Sequence, residues 1–97
     1  MSADKIKELQ RTIDQLLDQI DQIDDPVVKK RLMESLQTHI RKLHDENEGD
    51  ERMQLATTTL EDIILKLTEG TNSVRIAKAD VAKTLANTVN EYLLENK

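Results

Sequence analysis

The sequence predicts an all-α fold, an up-down-up-down bundle of four antiparallel helices of similar length. Three observations carry that expectation: a composition of strong helix formers, three short breaks that cut the chain into nearly equal quarters, and apolar residues spaced three and four apart within each quarter. Only two Gly, one Pro and one aromatic residue, Tyr92, interrupt a chain rich in Leu, Ala, Glu, Lys and Gln. These residues lose little side-chain freedom in a helix. At 97 residues the chain has room for one core, so a single domain over 1–97 is expected.

The breaks are Asp24-Asp25-Pro26, the polar run Asp45 to Asp50, and Gly70-Thr71-Asn72-Ser73. Pro26 suits the first helical position with Asp25 as N-cap, and Gly70 suits the position after a helix end with Asn72 or Ser73 opening the next. Helices are therefore expected at about residues 3–24, 26–46, 51–69 and 73–95.

In the first segment Ile6, Leu9, Ile13, Leu16, Ile20 and Ile23 form a heptad seam that Leu17 widens. The second places Val28, Leu32, Met33, Leu36, Ile40 and Leu43 on one face, and the third places Met53, Ala56, Leu60, Ile63, Ile64 and Leu67. The fourth has the broadest stripe, Val74, Ala77, Val81, Ala82, Leu85, Ala86, Val89, Tyr92 and Leu93, which predicts contact with two neighbours and the deepest position. Net charge alternates by quarter, -4 over 2–25, +4 over 26–44, -6 over 45–70 and +1 over 71–97, within a total of -5. Adjacent helices are expected to attract, each exposed pair adding about 1 kcal/mol or less.

The residues offer no catalytic, metal or cofactor site. Cysteine is absent, so thiolate chemistry and disulfides are excluded. His39 and His44 are five residues apart, roughly 140° around a helix, and are expected to be solvated rather than chelating. Thr57-Thr58-Thr59 has no base placed beside it and is read as shallow or solvent-facing. The start lacks a signal-peptide core and no apolar run is long enough for a transmembrane segment, so a cytoplasmic location is expected. Lys30, Gln37 and Arg41 share a face, but Glu34 interrupts it and no aromatic is there to stack on bases, so nucleic acid is not the expected partner.

Some apolar residues fall off the seams. Leu55, Thr58, Asp62 and Leu65 make a second stripe on the third helix, and Ile76 and Leu94 align on the polar face of the fourth. These six are the candidate partner-binding residues. The expected function is a non-catalytic protein-protein interaction module: a small inhibitor, adaptor or assembly subunit with a protein partner. Heptad seams serve a homodimer equally well.

Form and charge support two further readings. In length and helix number the chain resembles the enterocin-type bacteriocin immunity proteins, a likeness that implies a small helical immunity protein and transfers no residue. The row Asp14, Asp18, Asp21 and Asp25 would serve a nucleic-acid-mimicking regulator, and Lys30 and Arg41 a nucleic-acid-associated one.

Overall fold

Each helix end is set by a cap that the local sequence supplies. The computed structural model describes residues 2–95; Met1, Asn96 and Lys97 of the expected domain lie outside the described residues. Helix α1 (Ala3–Gln22) opens at Ser2, whose hydroxyl accepts from the Lys5 N–H at 3.3 Å. It stops two residues short of the expected 24, with Ile23 and Asp25 extended. Pro26 excludes its predecessor from the helical region, which leaves Asp25 placed to cap the second helix.

Helix α2 (Pro26–Glu46) starts with that proline, and Asp25 accepts from the N–H groups of Val27 and Val28 at 2.9 and 3.4 Å. Asp50 caps α3 (Glu51–Thr68) by accepting from Arg52 and Met53 at 3.1 and 3.3 Å. Gly70, at φ 78, closes α3 by letting Thr71 N–H reach the Lys66 carbonyl while its own N–H reaches Leu67. This left-handed closure satisfies carbonyls that the helix leaves open. Ser73 Oγ then accepts from the Ile76 N–H in the first turn of α4 (Val74–Glu95).

The described residues are helical with no strand, and the helices assemble as an antiparallel four-helix bundle with extents of 48 × 23 × 21 Å. Helix α1 rests chiefly on α4, α2 on α3, and α3 on α4, whereas α1 and α2 touch far less. Three edges of the bundle are closed and one is loose. Among the described residues no helix is long and apolar enough to cross a membrane.

The core contains Ile6, Leu9, Ile13, Leu17 and Ile20 from α1, Met33, Leu36 and Ile40 from α2, and the whole expected seam of α3. Burying each large aliphatic side chain stabilises by about 1.5–3 kcal/mol. Four expectations need correction. Leu17, not Leu16, is the fully buried leucine of α1, while Ile23 leaves the helix and is only half-buried. Val28 and Leu93 are exposed and Ala86 lies on the surface, because each sits at a helix end or on a flank that no neighbour covers. Thr57 is fully buried rather than shallow, its hydroxyl donating to the Met53 carbonyl at 2.6 Å. Helix α4 is not uniquely deep, since α3 and α4 each bury seven residues whereas α2 buries three.

Opposite charges meet at three edges, at two of them with the sign that the alternation predicts. Arg41 reaches Glu61 at 3.4 Å across α2 and α3, Arg52 pairs with Glu95 across α3 and α4, and Lys78 reaches Asp18 at 2.7 Å across α4 and α1. Among the described residues no ion pair joins α1 to α2, so the attraction expected between them is not realised as contact.

Candidate partner-binding surface

The second stripe of α3 arises because its core face is complete without it. Leu55 is 65% exposed and Leu65 48%, with Thr58 and Asp62 exposed between them. The structure divides the stripe between two grooves. Thr58, Asp62 and Leu65 join Gln37, Arg41 and Glu61 around an open groove of about 560 Å³ between α2 and α3. Leu55 instead lines a shallower depression of about 190 Å³ between α3 and α4, beside Arg52, Thr59 and Asn87. An 80° difference in helical azimuth between Leu55 and Leu65 accounts for the split, at about 100° per residue.

The wider groove has polar walls already in use. Gln37 donates to Thr68 Oγ1 at 3.3 Å, Arg41 pairs with Glu61, and Asp62 pairs with Lys66 one turn away at 3.1 Å. On α4, Ile76 and Leu94 are 48% and 65% exposed. Eighteen positions separate them, five full turns, so they share a line but stand about 27 Å apart.

Sequence reasoning missed a different group. Val27 and Val28 at the start of α2 and Leu93 near the end of α4 are exposed. Leu16, Leu32 and Leu43 pack against the core while remaining only half-buried. Turning at Ile23 to Asp25 sets Leu16 at about the level of Leu32 on the neighbouring helix. A hollow of about 130 Å³ on the same flank of α2 is lined by His39, Lys42, Leu43 and Glu46, with no residue of α1. The two helices touch least along this edge. The sequence carries no local signal for it, since of Leu9, Leu16 and Ile23, spaced seven apart, Leu9 is in the core and Leu16 and Ile23 are only half-buried.

Polar chemistry gathers at the opposite end of α3. The Tyr92 hydroxyl donates to Asp50, the Arg52 guanidinium lies 4.0 Å over the Tyr92 ring, and Arg52 also pairs with Glu95. Burial and the Asp50 carboxylate together push the Tyr92 hydroxyl up to about 12. Burial works to raise Asp50, but the Tyr92 hydroxyl and the N–H groups of Met53 and Arg52 outweigh it and hold the carboxyl below its ordinary value. Every member points at another member, so the cluster fastens α4 to α3. Tyr92 reads as a plain core residue from sequence, because the partner of its hydroxyl lies 42 positions away.

The other chemistry-bearing groups are scattered over the bundle. Thr57, Thr58 and Thr59 donate to carbonyls in the preceding turn. His39 is exposed, but His44 is half-buried with Nδ1 3.6 Å from Asp45. Among the described residues no group of three or more His, Cys, Asp or Glu could hold a metal ion. Of the acidic row of α1, Asp14 is half-buried and raised by that burial, Asp18 holds Lys78 and Asp25 caps α2, while Asp21 is exposed.

Residues 2–49 match the Swi5 family. The chain is similar to Swi5 over α1, α2 and the turn after them, while α3 and α4 lie beyond the match. No curated protein and no solved structure matches the chain. The Swi5-like pair is the pair of sequence-adjacent helices that packs least against itself, and α3 and α4 provide the core that each of its helices rests on.

Proposed function

We propose that this chain is a non-catalytic helical interaction module, a subunit that works by binding another protein. One observation carries the reading: a bundle with a complete core leaves Val27, Val28, Leu55, Leu65, Ile76, Leu93 and Leu94 exposed. Single exposed apolar residues are ordinary, but seven large ones on so short a chain exceed what its own fold uses. The likeness to Swi5, a family that acts in protein complexes, supports the same reading. The candidate residues on α3 contribute to it from two separate grooves, and Ile76 and Leu94 from opposite ends of α4.

The finer reading, also from that likeness, is a subunit of a recombination and repair assembly of the Swi5–Sfr1 kind, which would place the chain in the nucleus rather than the cytoplasm. The immunity-like and nucleic-acid-mimicking readings gain no support from the geometry or the comparisons. Affinity capture of the tagged chain from its source cells tests the proposal. A foreign protein recovered in stoichiometric amount is the expected result, and recovery of the chain alone at physiological salt would contradict it.

A further inference from the structure

Helices α1 and α2 leave between them an apolar floor with unlike walls. Leu16, Ile23, Leu32 and Leu43 are half-buried along it, and Val28 is 44% exposed at its upper end. Helical spacing places Thr12 and Gln19 on the α1 rim and Arg31, Ser35 and Lys42 on the α2 rim. The α1 wall is thus uncharged through its middle, with Lys5 and Glu8 only at its far end. The α2 wall is basic, with Glu46 as the acid at its end, and neither Arg31 nor Lys42 holds an ion pair among the described residues. Eleven residues separate these two bases, about 16 Å along one helix face.

We propose that this edge receives an amphipathic helix from another protein, apolar along one stripe and acidic along the flank that meets α2. The inference rests on the interaction-module reading and adds to it a surface and the chemistry of its occupant. Three features support a helix as the shape. The floor recurs at helical spacings, Leu16 and Ile23 seven apart and Leu32 and Leu43 eleven apart, which keep facing a companion helix over several turns. Helices α1 and α2 touch far less than the other neighbouring pairs, which leaves this edge open to a third helix. The other edges of the bundle are closed by ion pairs that this one lacks among the described residues. Charge complementarity then selects acidic over basic partners, and the neutral α1 wall fixes which flank carries the acids.

Two synthetic helices of about 21 residues, each with a leucine heptad stripe, test this. One carries Glu on a single flank and Gln on the other; its counterpart carries Lys in place of Glu. Titrated against the full chain by fluorescence anisotropy, the Glu helix is expected to bind and the Lys helix to bind roughly tenfold or more weakly. The R31E/K42E variant should reverse that preference, a readout that misfolding does not mimic, and L65E should leave it unchanged. Equal binding of both peptides, binding of neither, or a dimer that excludes them would overturn the proposal. If the peptides fail while the chain still captures a foreign protein through Leu55 or Leu65, the module reading stands and this inference alone falls; if capture fails as well, both fall.

Discussion

The Tyr92 hydroxyl donates to Asp50, the carboxylate that also caps the first turn of α3. One side chain thereby starts a helix and anchors the end of another. Replacing Tyr92 by Phe keeps the ring under Arg52 and removes only the hydroxyl. We expect a loss of about 1–2 kcal/mol, because a half-buried hydrogen bond to a carboxylate is removed. Asp50→Ala removes the cap as well and should cost more, with both read as shifts in urea midpoint at unchanged m value.

The same bond makes stability fall at high pH. The hydroxyl titrates at about 12 in the fold against 10.0 ordinarily. Stability from the protonated hydroxyl is fully present below its ordinary value and is lost as pH rises through the folded one. Wild type should therefore lose stability between pH 10.0 and about 12 in a phase that Tyr92→Phe lacks. Asp50 acts at the other extreme. Its lowered carboxyl contributes stability above the ordinary 3.8 that disappears as pH falls through the depressed value. Thermal unfolding across both ranges, with the two variants in parallel, checks the signs.

The two glycines should respond differently to Ala. Gly70 lies at φ 78, so a Cβ there is strained even though nothing crowds it. Gly70→Ala should cost about 1–2 kcal/mol. Gly49 has neither a positive φ nor a near neighbour, and Gly49→Ala should change stability by less than about 0.5 kcal/mol.

Leu60 and Leu55 offer a matched pair one and a half turns apart on α3. Leu60 is fully buried and Leu55 faces solvent. Leu60→Ala should cost about 2–5 kcal/mol through the cavity it leaves, whereas Leu55→Ala should stay within about 0.5 kcal/mol. Equal costs would mean that the outer face of α3 is covered in solution.

How much of this was legible in the sequence depends on the range of each signal. Asp25-Pro26 and Gly70 act within one turn, and the sequence places both caps where the structure has them. Apolar spacing identified every large apolar core residue of α3, whose two flanks are both covered. It misplaced Leu16, Val28 and Leu93 because periodicity reports a face and not whether a neighbour reaches it. Leu16 and Leu17 differ by about 100° of azimuth, and only the bundle decides which of them turns inward. The candidate stripe on α3 was visible as a pattern, but its division between two grooves depends on where α2 and α4 sit. The Asp50–Tyr92 bond and the loose α1–α2 edge are long-range facts that no local pattern encodes.

The most direct test of the interaction-module account is the stoichiometry of co-purifying protein for wild type beside L55E/L65E and V27E/V28E. Since these four side chains face solvent, both variants should keep wild-type helicity and cooperative unfolding. The account predicts one foreign protein bound by wild type and lost from at least one variant. A partner held undiminished by both variants, or no partner held by wild type, would contradict it.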